Sequence, residues 1–172
     1  MQMKEFEIME KEIGPVVEIE ESVHVWQMPK TFGRDYEMIN NYLVSNAAEC
    51  TGMPYARYVD MQWQKEVNRG LLANIFAVLF KKWHFFAGLP GSKVVQSSGP
   101  LLSRQINSQK YVRALHKGPY KDVGPTYKAL YEWSLAQGLA LKNEAIECYL
   151  NDPAKVKPAD IETEILIPIS AV

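Results

Sequence analysis

Glu164 lies in the alternating run Ile-Glu-Thr-Glu-Ile-Leu-Ile-Pro-Ile (161–169). Period-two alternation puts Ile161, Thr163, Ile165 and Ile167 on one face and Glu162, Glu164 and Leu166 on the other. The β-branched face is expected to pack on helices, leaving Glu164 on the side away from them. The strand by itself fits a solvated carboxylate on an exposed sheet face. Buried among aromatics, the same carboxyl would have a raised pKa and serve as a base near neutrality. Tyr149 shares a face with Glu147, while Cys148 and Leu150 are read as turning toward the helices. Tyr58 matches Tyr149 in an upstream copy of the pattern, a register that turns Arg57 toward the helices, where its charge needs a partner. Trp83 and Phe85 alternate with His84 and Phe86, and the first pair is assigned to the ligand side. Trp63 fits loop packing or a cover over a ligand, and Trp26, closing the first strand, would line the same edge. A structural hydrogen bond is expected at His116, beside the Gly118-Pro119 turn.

Other chemistries find no support. His24 and His84 have no neighbouring metal-ligand pattern, and Cys50 and Cys148 are read as reduced, buried thiols. The Gly- and Ser-containing loops match neither a phosphate loop nor a nucleophile elbow. No metal and no organic cofactor is expected.

The elements that must position these residues follow one order twice. Val16–Gln27 reads as a strand ended by Pro29, Phe32–Ala48 as a helix stopping near Thr51-Gly52, and Pro54–Met61 as a short strand. A helical patch around Leu71–Leu79 precedes a strand over Phe80–Phe86. Residues 88–108, rich in Gly, Ser and Pro, form a connecting segment. The pattern then restarts with a strand at Gln109–Lys117, a helix at Val123–Leu139 ending near Gly138, and strands at Ala145–Leu150 and Ile161–Ile169. Aligning Tyr36 with Tyr127 sets Tyr58 against Tyr149 and Asp60 against Asn151. One domain built of two repeats (about 16–87 and 109–169) is therefore expected. Its fold class is α+β, with an antiparallel-rich sheet, helices on one face and a ligand cleft on the other.

The 172 residues suit one domain, and 47% hydrophobic content is enough for a core. A formal charge of −1 provides no field for a phosphate backbone, so direct nucleic-acid binding is not expected. The chain holds no apolar run of membrane-spanning length and opens on no signal-peptide core, so a cytoplasmic protein is expected. Nineteen aromatic residues, four Trp, nine Tyr and six Phe, offer flat contact area to a core or a ligand.

His116-Lys117-Gly118-Pro119-Tyr120, the helix Tyr127–Trp133, Glu147-Cys148-Tyr149-Leu150-Asn151-Asp152-Pro153 and Thr163–Ile169 follow one another at a spacing that resembles the GyrI-like small-molecule-binding family. Multidrug-sensing transcription activators use the same domain to bind effectors. The resemblance is continuous over about residues 105–169 and looser before, mainly at Tyr58–Asp60. It implies a duplicated strand–helix–strand–strand fold around an aromatic cleft with an acid at its floor. By position that acid is Glu164, with Tyr149 and Tyr58 lining the cleft. It implies an aromatic or lipophilic ligand, and in some members hydrolysis of cyclopropane-bearing alkylating compounds, a detoxification without cofactor. In that reaction Glu164 would act as base and Tyr149 would assist, while Tyr58, Trp83, Phe85, Trp63, Trp26 and Glu147 contact the ligand. The alternative it implies is a non-catalytic drug-binding protein or one that docks on DNA gyrase. A regulator role is not expected, because no DNA-binding module precedes the first strand.

Overall fold

The computed structural model describes residues 6–68, 70 and 80–170. It is an α+β fold whose eight strands pair antiparallel, divided into two compact units. No helix among the described residues is long and apolar enough to cross a membrane.

The N-terminal unit comprises Glu12–Val59 and Arg69–Ser108. It contains strand β2 (Gly14–His24), helix α1 (Met28–Ser45), and strands β3 (Tyr55–Val59), β4 (Lys82–Pro90) and β5 (Leu101–Ile106), in the sheet order β3-β4-β2-β5. A 3-10 turn, Val25–Gln27, joins β2 to α1. Pro29 lies in the first turn of α1, where its missing N–H costs nothing, so it opens the helix rather than merely closing the strand. Ile39 and Leu43 of α1 pack on Val17, Ile19 and Leu89, and this apolar contact holds the helix to one face.

The C-terminal unit collects Met1–Lys11, Asp60–Asn68 and Gln109–Val172. Its strands are β1 (Phe6–Lys11), β6 (Gln109–Lys117), β7 (Glu144–Tyr149) and β8 (Glu162–Pro168), in the order β1-β6-β8-β7. Helix α2 (Trp63–Val67) packs beside helix α3 (Gly124–Ala136). Helix α3 has Pro125 in its first turn and ends at Gly138. There φ of +70° lets the Gly138 and Leu139 amides reach back to the Leu135 and Ser134 carbonyls.

Two strands fall where the sequence shows none: β1 in the charged N-terminal stretch and β5 within the segment read as a connector. Each pairs on one side only, and partial exposure blurs its apolar pattern. The helical patch read at Leu71–Leu79 lies outside the described residues.

Candidate functional site

Side chains of directly opposed residues in an antiparallel pair share a face, which sorts the C-terminal unit into two chemistries. On the face covered by α3, β8 contributes Thr163 and Ile165, β6 His116 and Ala114, and β7 Tyr149 and Glu147. Glu147 is 8% exposed. The Tyr127 hydroxyl of α3 donates to its Oε1 at 2.8 Å, and the Tyr149 hydroxyl donates to Oε2 at 3.2 Å. Tyr120, on the 3-10 turn after β6, sets its ring edge-on to Tyr149 with centroids 5.4 Å apart. Burial pushes the Tyr120 phenol above its ordinary pKa, and the charges of Glu147 and Asp152 push it the same way. Trp63 stacks on Tyr127 and Tyr131, at 6.0 and 6.4 Å, and its indole N–H donates to the Lys142 carbonyl at 2.8 Å.

His116 ties this corner together. Its Nε2 lies 3.3 Å from the Pro119 carbonyl, which can only accept, so Nε2 donates there, and Nδ1 lies 2.9 Å from the Thr126 hydroxyl. The turn bearing Tyr120 and the helix bearing Tyr127 are thus both anchored to β6. Gly118, with φ of +127°, makes the turn feasible. Thr163, directly opposite Tyr149, is fully buried, and its hydroxyl has no hydrogen-bond partner among the described residues.

Glu164 lies on the opposite face, away from α3, 7% exposed, beside Cys148. Lys11 Nζ donates to its Oε2 at 2.7 Å and Arg113 Nε to its Oε1 at 2.6 Å, while Arg113 Nη1 also reaches Glu7 at 2.8 Å. Burial alone would raise this carboxyl, but the two cations outweigh it and hold the pKa below the usual value. The raised pKa of a base among aromatics is therefore not what Glu164 has. Burial pushes the Cys148 thiol up to about 12.

The face assignment of β7 is thus reversed from the sequence reading. Tyr149 and Glu147 do share a face, as expected, but it is the helix-covered one, and Cys148 takes the other. Glu164 and Tyr149 are not brought together. The cause is physical: both faces of β7 and β8 are largely buried, so apolar character does not reveal which face meets the helix.

The N-terminal unit repeats the scaffold with different contents. Tyr58 lies opposite Phe85, as Tyr149 lies opposite Thr163. Tyr58, Trp83 and Phe85 do share a face, but it is the one that α1 covers and not the side away from the helices to which the sequence assigns them. Ring centroids of Tyr58 stand 6.0 Å from Trp83 and 5.8 Å from Phe85, and Phe32 of α1 closes on Phe85 at 5.0 Å. Lys81 Nζ sits 3.8 Å over the Trp83 ring. Where the C-terminal unit has Glu147, this unit has Ala56. Trp26 stacks on His24 at 4.3 Å and is 56% exposed.

Arg57 turns away from α1, contrary to the sequence register. On that other face its Nε and Nη2 hold the two oxygens of fully buried Glu18, at 2.9 and 2.8 Å. Tyr55 and Arg104 complete the set around Glu18. Tyr127 and Tyr120 were missed as site residues. The alignment of Tyr127 with Tyr36 points to a helix tyrosine over each sheet, but a helix stripe alone reads as core.

A model of the GyrI-like small-molecule-binding domain matches residues 81–170, more than half of the chain. A search of curated protein sequences returns no match. Among solved structures, the C-terminal domain of EcmrR superposes with a TM-score of 0.73 at 18% identity, covering 99% of this chain and all of that one. In the EcmrR–DNA complex this chain spans 58% of the EcmrR chain. A hydrolase from Listeria innocua gives 0.61 at 13% identity, over 95% of this chain and 92% of that one. SAV2435, solved bound to tetraphenylphosphonium, gives 0.50 at 12%, over 99% and 95%. At these identities the likenesses are ones of fold.

Proposed function

Because the chain belongs to the GyrI-like small-molecule-binding domain family, we propose that it binds an aromatic, lipophilic small molecule at Glu147. The observation that carries this reading is a buried carboxylate ringed by phenols, with Tyr127 and Tyr149 bonded to its two oxygens. Tyr120 and Trp63 extend the aromatic surface beside it. A delocalised cation fits such a setting, since ring faces and a carboxylate both attract it.

The test uses tetraphenylphosphonium as probe and tryptophan fluorescence as readout. Glu147→Gln, which keeps the shape and removes the charge, is expected to weaken binding on the order of tenfold, as for loss of a desolvated ionic contact. Glu164→Gln should bind as the native chain does. Equal affinity of native protein and Glu147→Gln would overturn the assignment of the acid.

A second reading, hydrolysis of a strained cyclopropane, is favoured by the longer Tyr149–Glu147 contact, which a water could replace. Glu147 would take a proton as water attacks the cyclopropane carbon. A C–O bond forms, the strained C–C bond breaks, and its electron pair moves into the ligand's conjugated carbonyl oxygen. Tyr149, released from Glu147, would donate to that oxygen. Binding of a cyclopropanoid without product would remove this reading and leave the first intact.

A further inference from the structure

An open depression of about 370 Å³ lies in the C-terminal unit between α2, α3 and the chain leading into β7, a volume within the range of small-molecule sites. One wall is apolar: Trp63, Tyr131 and Leu135. The Trp63 ring is fixed there by its bond to the Lys142 carbonyl and by stacking on Tyr131, so this wall is preformed. Leu135 is 55% exposed although it belongs to a helix with a buried face, leaving apolar surface beside an aromatic wall. The rim is polar and carries amides, among them Gln62 and Asn143. Among the described residues lining it, Lys65 is the one charged side chain, and no carboxylate lines it.

The charge is opposite in sign to that at Glu147. We propose that this depression is a second ligand site, selective for a flat aromatic anion such as an aryl carboxylate or sulfonate. The ring system lies along Trp63, Tyr131 and Leu135, and the acid group meets Lys65 and the amide donors. The inference does not depend on the reading of Glu147. The two sites nevertheless share a neighbour, since Trp63 stacks on the tyrosine that bonds Glu147.

The probe is 8-anilinonaphthalene-1-sulfonate, followed by its own emission and by energy transfer from tryptophan. The native chain is expected to bind it saturably, with transfer reduced in Trp63→Phe. Lys65→Glu replaces attraction by repulsion and should weaken binding on the order of fivefold or more. Leu135→Glu should weaken it comparably, and both residues are exposed enough for the variants to fold, which circular dichroism checks. The proposal is overturned if the native chain does not bind the dye, or if Lys65→Glu and Leu135→Glu bind it undiminished.

Discussion

At the scale of single residues, the two acids on β7 and β8 of the C-terminal unit lie on opposite faces of the sheet. Glu147 accepts hydrogen bonds from the Tyr127 and Tyr149 phenols. Glu164 meets Lys11 and Arg113, which neutralise it. The consequence for stability has a definite sign. The folded pKa of Glu164 lies below its ordinary value of 4.5. Its ionic contribution is therefore present above that value and is lost as pH falls through the folded pKa. Lys11→Met raises the folded pKa and removes part of this contribution. It should cost about 1–3 kcal/mol at pH 7, less than a fully buried pair because Lys11 is a third exposed, and less at pH 3 than at pH 7. Urea unfolding at the two pH values measures the difference; an equal loss at both would show that the lysine acts through packing alone.

At the scale of elements, close approaches set which substitutions the sheets tolerate. Tyr55 crosses directly over Gly88, so that a Cβ there would lie 2.3 Å from the ring carbon bearing the hydroxyl. The same hydroxyl donates to buried Glu18 at 2.9 Å, so the ring has no freedom to retreat. Gly88→Ala should destabilise the chain by about 1–3 kcal/mol, seen as a lower thermal midpoint. Tyr55→Phe in the same background should recover little, because the ring and not the hydroxyl is the obstacle.

Most of the element order was legible in the sequence. The span Gln109–Lys117 is a strand with those bounds, and Gly138 does close its helix. What the sequence concealed was the facing of β3, β4 and β7. Arg57 and Cys148 occupy matching positions, on the sides away from α1 and α3. A buried arginine bonded to a buried glutamate gives the same burial as a core residue and leaves no periodic trace. Glu147 was legible as a companion of Tyr149, but the hydroxyl of Tyr127 that completes its surroundings comes from a helix stripe that also fits plain packing.

At the scale of the whole molecule, a strand–helix–strand–strand order occurs in both units with two kinds of lining. Glu147, Thr163 and Tyr149 in the C-terminal unit stand where Ala56, Phe85 and Tyr58 stand in the N-terminal one. Each unit also carries one cysteine, exposed Cys50 and sheltered Cys148, which makes the units separately addressable. With its thiol held near 12, Cys148 has almost no thiolate at pH 8. A thiol reagent should label Cys50 promptly and Cys148 only when the C-terminal unit opens, as mass spectrometry of labelled fragments along a urea series would show. Prompt labelling of Cys148 in the native protein would contradict its burial.

Strand β1 bears on how this chain is made. Lys11 and Glu7 belong to a unit whose other strands begin at Gln109, opposite which Lys11 is paired. During synthesis at about 5–20 residues per second, β1 waits roughly 5–20 s for β6 to leave the ribosome. By the end of that interval the N-terminal unit has been made, while β1 remains without its neighbour. Strand β1 is thus made before the N-terminal unit and placed after it, and its alternating charges keep it soluble until then.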